Sequence, residues 1–232
     1  MRFGFALVIV MVLIAGSVQA QDLTTDRGKL SYAVGWDLGA DIKKRGEDFD
    51  VEALIKAIRD SVADKKPEVD EEEMRTLLTA LQEKVRKEQV AAFQKLAKEN
   101  QAKSEAFLEK NRTKTGIVVL PSGLQYRIIE EGDGPRPGLN SRVRVHYRGS
   151  KVDGTEFDSS FARGVPEEFT VNSVLKGWQE VLPLMKQGAT WQIFVPPELA
   201  FGQRGNPPAV GPNEALTFDL KLIEILDDKS SG

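Results

Sequence analysis

The stretch "VHYRGSKVDGTEFDSS", residues 145–160, holds the only histidine of the chain beside a tyrosine and ends in a run of acidic residues. Apolar and polar residues alternate through its start and the preceding "SRVR", which is typical of a β-strand with one buried face. Val145 and Tyr147 share the inward face, whereas His146 shares the opposite face with three arginines. His146 is therefore predicted to face solvent. A serine–histidine–aspartate triad would require that histidine to be buried beside a serine and an acid.

The acidic residues of the stretch, Asp153, Glu156 and Asp158, allow two further interpretations. Their spacing is not that of a twelve-residue calcium loop. Carboxylates this close in sequence belong to turns and surfaces more often than to a glycosidase pair. The turn "GDGPRPG", residues 132–138, lacks the strand–loop–helix setting and the Lys-Ser/Thr ending of a phosphate-binding loop. These residues therefore indicate neither hydrolysis nor nucleotide binding.

From Thr115 onward, the chain has the pattern of a small sheet domain. Gly and Pro separate further alternating segments, which are "GLQYRIIEEG", "EFTVN", "TWQIFV" and "ALTFDLKLIEIL". One short helix is predicted between Gly177 and Lys186. The predicted fold class is α+β, with an antiparallel sheet and one covering helix over residues 115–232.

The part of the chain before Thr115 is patterned as three helices. The first, in "TTDRGKLSYAVGWDLGADIKKRG", is predicted to begin at a Thr cap and end at Gly46. The second follows an Asp50 cap in "VEALIKAIRDSV". The third begins at Asp70, which has capping-box spacing to Glu73. It is predicted to run for about 40 residues, or roughly 60 Å.

These helices offer little apolar surface for a core of their own. Two short helices and one stripe from Met74 to Val85 rarely stabilise a monomer without staples. Residues 21–70 are therefore predicted to be a helical dimerisation domain, and a homodimer is expected through residues 21–90. Residues 71–114 are predicted to be a long connecting helix, which becomes a solvated spacer arm beyond Leu96.

The first twenty residues, "MRFGFALVIVMVLIAGSVQA", have the pattern of a secretory signal peptide cleaved before Gln21. A membrane anchor is the alternative, because the apolar run is near the lower limit for spanning a bilayer. The chain has no cysteine, which excludes thiol nucleophiles and thiolate metal sites. Its net charge of −3 does not favour a nucleic-acid partner. An exported, cysteine-free chain fits the periplasm of a Gram-negative bacterium, either soluble or associated with the outer membrane.

Several separated segments resemble one known family. "VHYRG…DGTEFDSS", "VLKGWQEVLPLM.QGATWQIFVPPELAFG" and "ALTFDLKLIEI" resemble the core of FKBP-type peptidyl-prolyl isomerases, in order, from about Gly123 to Leu226. "KLSYAVGWDLGADIKKRG" and the long helix resemble the dimerisation region of exported two-domain members. Those members are the macrophage infectivity potentiators and the periplasmic FKBP-type isomerase-chaperones.

The resemblance implies an FKBP-like antiparallel sheet wrapped around a short helix. It also implies a peptidyl-prolyl cis–trans isomerase that acts on proline-containing unfolded or partly folded polypeptides, without a cofactor or metal. Catalytic roles are implied for Tyr147, Phe157, Asp158, Trp178 and Phe218, and substrate-binding roles for Phe169, Val174, Leu175, Phe201 and Val210. Among these, Trp178 is the implied floor under the proline ring, and the Leu175 N–H the implied ligand donor. Macrolides of the tacrolimus and rapamycin type are the implied inhibitors.

The chain departs from the family pattern at a few positions. Phe201 stands where the family usually has tyrosine, and Leu175 stands where isoleucine is commoner. The loop at residues 206–210 varies between members, and the loop before Phe169 is shorter than in minimal members. An alternative function is a client-holding chaperone without catalysis. A third interpretation combines both activities, with the N-terminal helices cradling clients.

Overall fold

The computed structural model describes residues 23–46 and 48–226. Contacts divide the chain into two compact units, one up to Thr76 and one from Leu77. The predicted signal peptide, residues 1–20, lies outside the described residues. Among the residues that the structure describes, no helix is long and apolar enough to cross a membrane.

All three predicted N-terminal helices form, and their ends lie where the capping residues place them. They are α1 (Asp26–Arg45), α2 (Val51–Val62) and α3 (Glu71–Arg112). The side chains of Thr25, Asp50 and Asp70 accept hydrogen bonds from backbone N–H groups in the first turns of α1, α2 and α3. Gly46 ends α1 in the left-handed conformation that glycine adopts without strain.

The C-terminal half of α3 is not the solvated spacer arm that its polar sequence predicts. Asn100, Ser104 and Asn111 are buried on the face that packs against the sheet domain. The Asn100 amide donates to the carbonyl oxygen of Pro212 at 2.9 Å. The prediction for the segment beyond Leu96 is therefore wrong for this face of α3, because Asn100 and Ser104 bond backbone carbonyls and Asn111 bonds the Gln125 side chain. Most other residues of the segment are exposed.

The second unit contains one antiparallel sheet of seven strands in the order β1-β2-β6-β7-β3-β4, and β5 also pairs with β3. The strands are β1 (Val118–Val119), β2 (Gln125–Glu130), β3 (Arg142–Lys151), β4 (Glu156–Ser159), β5 (Glu167–Thr170), β6 (Thr190–Val195) and β7 (Leu216–Leu226). Strands β4 and β5 pair with successive parts of the same edge of β3. The predicted α+β class with an antiparallel sheet is confirmed.

One face of the sheet packs on the predicted short helix, α5 (Lys176–Val181). A Cβ atom at Gly177 would lie 2.6 Å from a methyl group of Val195, so only glycine lets α5 approach the sheet this closely. A second short helix, α4 (Ser160–Arg163), follows β4 directly and is capped by Ser159. The apolar core lies between the sheet and α5.

Candidate active site

Trp178 lies in the first turn of α5, and other aromatic side chains surround its indole ring. Its ring centroid is 5.1 Å from that of Tyr147, 5.2 Å from Phe218 and 6.0 Å from Phe169. All three contacts are edge-to-face, the arrangement that aromatic quadrupoles favour. Trp178 is only 4% exposed, and its ring is buried against side chains of β3, β5 and β7.

A β-bulge turns two consecutive residues of β4 toward this aromatic cluster. The register between β4 and β3 shifts at Phe157, and a bulge of this kind re-aims side chains that would otherwise alternate. Phe157 packs on Phe218 at 5.8 Å, while Asp158 hydrogen-bonds to Tyr147. A Cβ atom at Gly149 would come within 2.8 Å of both Phe157 and Phe218, so both rings occupy the space that the glycine leaves.

The polar side of the cluster is a connected hydrogen-bond network. The Tyr147 hydroxyl donates to Asp158 Oδ2 at 2.7 Å and accepts from Arg163 Nη2 at 2.8 Å. Arg163 also donates to Asp158 Oδ1 and to Glu167 Oε1. The Arg163 guanidinium additionally lies over the Tyr147 ring, 5.7 Å from its centroid. The single guanidinium therefore fixes the hydroxyl and both carboxylates.

The network shifts the pKa values of its members in opposite directions. Burial, followed by the hydrogen bond to Asp158, raises the pKa of Tyr147 well above 10. Burial alone would raise the pKa of Asp158, but the hydrogen bonds from Tyr147 and Arg163 outweigh it and lower that pKa below 3.8. Asp158 is therefore ionised and Tyr147 protonated at neutral pH. The stabilisation by the Asp158 carboxylate is lost only as the pH falls through its lowered pKa.

The remaining predicted pocket residues pack around the same core. Val174, Leu175 and Phe201 are partly buried against it, and Val210 is fully buried. The Leu175 N–H at the start of α5 donates to no acceptor within the described residues. The structure thus brings all ten predicted site residues into one cluster, in which the aromatic rings and one polar edge meet.

This arrangement offers apolar surface and fixed hydrogen-bond groups rather than a reactive nucleophile. Among the described residues, no group of three His, Asp or Glu side chains could hold a metal ion. Apolar surface beside fixed polar groups can remove water from a group bound against it and hold that group in one orientation. Those capacities suit a reaction in which no bond to carbon breaks.

Comparison with known proteins decides the family. Two family models match the chain: "Domain amino terminal to FKBP-type peptidyl-prolyl isomerase" over residues 27–128 and "FKBP-type peptidyl-prolyl cis-trans isomerase" over residues 134–223. The outer membrane protein MIP of Legionella longbeachae is 44% identical over 90% of both chains. The chain belongs to the family of FKBP-type peptidyl-prolyl cis–trans isomerases.

Other FKBP-type isomerases match over a similar length. The peptidyl-prolyl cis-trans isomerase Mip of Coxiella burnetii is 40% identical over 89% of this chain and 90% of its own. The crystal structure of FkpA from Escherichia coli matches with a TM-score of 0.68 at 34% identity, and it covers 87% of this chain and 97% of that one. These matches span both the helical and the sheet parts of this chain, so the resemblance noted in the sequence is confirmed for both parts.

Arg163 and Glu167 are members of the isomerase network that the sequence patterns did not identify. A local signal for them was present. The two residues are four apart, which is the spacing of a helical ion pair, although only Arg163 lies in α4. Alternation along β5 also places Glu167 on the same face as Phe169. Neither signal identifies a site residue by itself, because both become meaningful only when the fold places Arg163 and Glu167 beside Asp158 and Tyr147.

His146 lies on the predicted face, but it is half-buried rather than solvent-facing. Its Nδ1 atom is 2.8 Å from Ser160 Oγ, and its ring stacks on Phe161 at 4.4 Å. Ser160 is fully buried, and its hydroxyl also bonds the backbone N–H and C=O of Tyr147. A buried serine held in this way is not an accessible nucleophile, so the pair stabilises the corner between β3 and α4.

We expect His146→Ala to leave kcat/KM on a proline tetrapeptide within about twofold. The substitution should nevertheless lower the melting temperature by a few degrees, because it removes a stacked ring and one hydrogen bond, worth about 1 kcal/mol together. His146→Phe, which keeps the stacking on Phe161, serves as the control. A tenfold loss of activity with an intact circular dichroism spectrum would show that His146 takes part in catalysis.

Proposed function

We propose that this FKBP-type isomerase accelerates X–Pro isomerisation by holding the proline ring on Trp178, inside the box formed by Tyr147, Phe157 and Phe218. The barrier of roughly 18–20 kcal/mol arises because the twisted amide loses its resonance. A dry aromatic cavity favours the less polar twisted amide over the planar one. A rigid cavity also holds the twisted geometry more tightly than the planar one, and such differential binding is what raises the rate.

The polar edge of the box has the complementary role of orienting the substrate. Asp158 and Tyr147 are held in one geometry by Arg163, so they present fixed polar atoms beside an apolar cavity. The Leu175 N–H is available as a donor to a substrate carbonyl. Phe169, Val174, Phe201 and Val210 complete the wall, with their bulk positioned by the core. Fixed groups of this kind reduce the entropy that must be lost at the moment of reaction.

The observation that carries this proposal is the edge-to-face ring of aromatics around Trp178. A protease-free isomerisation assay with a proline tetrapeptide, using residues 21–232, tests it directly. The alternative function is a client-holding chaperone without catalysis. It predicts no acceleration in that assay but suppression of aggregation of an unfolded protein. Retention of every aromatic residue of the box favours catalysis.

We also propose that the chain is exported to the periplasm of a Gram-negative bacterium, soluble or in association with the outer membrane. The signal-peptide pattern of residues 1–20 and the lack of cysteine support this location. One relative carries the name outer membrane protein, from Legionella longbeachae. Cell fractionation together with N-terminal sequencing of the mature chain, expected to start at Gln21, would test both parts.

A homodimer through residues 21–90 is the state we propose for the helical part. No described residue between 23 and 76 is buried, although α1 and α2 carry apolar stripes. Leu30 and Trp36 are each 67% exposed, and Val62 is 82% exposed. Exposed apolar surface on this scale marks an interface in a water-soluble protein. Light scattering on residues 21–232 measures the oligomeric state, and a monomer would overturn this part.

The proposed domain organisation follows from that dimer. Residues 21–70 form the dimerisation domain, 71–114 the connecting helix, and 115–232 the isomerase domain, onto which the end of α3 packs. Two isomerase domains joined by one base would act together on a single unfolded chain, which raises the effective concentration of sites. A short peptide would gain nothing from this arrangement. We also propose that the paired helices hold unfolded clients. Refolding assays that compare residues 21–232 with a fragment lacking these helices test this chaperone activity.

We further propose that macrolides of the tacrolimus and rapamycin type bind in the aromatic box. Because Phe201 has no hydroxyl group, one hydrogen bond available to a tyrosine at this position is absent. We expect Phe201→Tyr to tighten tacrolimus binding by about two- to tenfold, the net value of one hydrogen bond. Isothermal titration calorimetry measures the change. Unchanged affinity would show that a hydroxyl group at this position makes no contact with the macrolide.

A further inference from the structure

The polar edge of the pocket carries more negative than positive charge. Asp158 and Glu167 both bond to the single guanidinium of Arg163, so the three side chains together carry one excess negative charge. Each of these side chains is between 33% and 42% exposed, so the charge can be sensed by a bound polypeptide. Asp158 and Arg163 alone would be neutral, so the excess charge comes from Glu167.

Counting hydrogen bonds identifies the carboxylate oxygen that remains available. Asp158 Oδ1 accepts from Arg163, and Oδ2 accepts from Tyr147. Glu167 Oε1 accepts from Arg163. Glu167 Oε2 has only a 3.5 Å contact with the Tyr147 hydroxyl, whose one hydrogen is directed to Asp158 at 2.7 Å. Within the described residues, Glu167 Oε2 therefore has no strong donor.

Strand β5 places this oxygen beside the pocket wall. Glu167 and Phe169 are two residues apart in β5, so their side chains lie on the same face, roughly 6.6 Å apart along the strand. Phe169 packs on Trp178, the floor of the pocket. Glu168 lies on the opposite face, where it pairs with two arginines of β3. Glu167 Oε2 is also 3.5 Å from the hydroxyl of Tyr147, whose ring lies 5.1 Å from that of Trp178, so this oxygen lies at the edge of the proposed proline site.

We infer that Glu167 determines substrate specificity by favouring X–Pro segments that carry a lysine or arginine within one residue of the proline. This inference rests on the proposed function, because it concerns substrates of the same pocket. Extended chain advances about 3.5 Å per residue, so a long basic side chain next to the proline reaches Oε2. An acidic residue at that position meets the excess negative charge and is disfavoured.

The test uses peptides that differ only in the residue before or after proline, which is lysine, glutamine or glutamate. For the native chain, we expect a lysine-to-glutamate ratio of kcat/KM of about two- to tenfold at one of these positions. Lysine attraction and glutamate repulsion each contribute what an exposed charge pair provides. Glu167→Gln keeps an amide oxygen for Arg163 but removes the charge, and should bring the ratio close to one. The native ratio should also fall in high salt.

Glu168→Gln is the matched control, since it removes the same charge from the opposite face of β5 and should leave the ratio unchanged. A native ratio near one would overturn the inference, as would an unchanged ratio in Glu167→Gln or an equal loss in Glu168→Gln. A native chain that is inactive even on the glutamine peptides would instead overturn the proposed function. The two failures are therefore distinguishable in one set of measurements.

Discussion

Trp178→Leu is expected to lower kcat/KM on a proline tetrapeptide by at least about tenfold, which corresponds to 1.4 kcal/mol of transition-state stabilisation. The indole ring is the one surface that Tyr147, Phe169 and Phe218 all contact edge-on. Leucine keeps the site apolar but leaves the floor smaller and mobile, so the proline ring is no longer held flat. The catalytic effect should appear in kcat as well as in KM, because the twisted amide loses its positioning.

Trp191→Leu is the matched control for this variant. Trp191 is also 4% exposed, and its indole N–H, like that of Trp178, has no hydrogen-bond partner among the described residues. It stacks on Tyr126 at 4.3 Å, away from the aromatic box. Both substitutions should cost stability by similar amounts, about 2–3 kcal/mol from lost buried volume. Equal loss of activity in the two variants would contradict the assignment of Trp178 as the pocket floor.

The helices and strands could be predicted because their signals are local. Thr25, Asp50 and Asp70 mark helix starts by side chains that bond their own first turns. Alternation likewise placed Tyr147 on the inward face, where it is 6% exposed. Each of these features depends on residues that are close in the chain, either a cap and the turn that it caps or the two-residue repeat of a strand. No contact with a distant residue was needed to predict them.

The contacts that sequence patterns missed join residues that are far apart. Ser104 was expected to face solvent, but its hydroxyl donates to the carbonyl oxygen of Asn213, 109 residues away. A polar residue on a helix carries no sign that its partner is a distant backbone group. The network of Arg163 and Glu167 was missed for a related reason, since its geometry depends on the bulge at Phe157. His146 was placed on the correct face, but the burial provided by Phe161 was not foreseen.

The docking of α3 leads to the second large prediction, which concerns where an independent isomerase fragment begins. Five buried or partly buried hydrogen bonds join the end of α3 to the sheet domain. They are Asn100 to Pro212, Ser104 to Asn213, Ala215 to Ser104, Asn111 to Gln125, and Gln125 to Leu108. At about 0.5–1.5 kcal/mol each, they amount to roughly 3–7 kcal/mol, comparable to the whole stability of a small domain.

We therefore expect a fragment of residues 116–232 to be strongly destabilised or unfolded, whereas residues 77–232 should fold as a monomer with nearly full tetrapeptide activity. Urea denaturation and light scattering measure both properties. Within the intact chain, Ser104→Ala should cost about 1–3 kcal/mol, because it leaves the buried N–H of Ala215 without a partner. Gln101→Ala is the control, since Gln101 is only partly buried and its side chain bonds Glu105 on the same helix at the surface.

The fragment of residues 77–232 also distinguishes the activity of one pocket from the joint action of two pockets in the proposed dimer. Residues 77–232 retain the whole aromatic box and the α3 contacts but lack residues 21–76, which make up most of the proposed dimer interface of residues 21–90. Tetrapeptide isomerisation needs one pocket, so it should be unaffected, whereas proline-limited refolding of a protein should be slower than with residues 21–232 at equal pocket concentration. If the fragment refolds proteins as fast as residues 21–232, the two isomerase domains of the proposed dimer do not act together on one client. If residues 116–232 prove as stable as residues 77–232, the polar contacts of α3 contribute no net stability. The isomerase domain then begins after α3 and does not include the end of that helix.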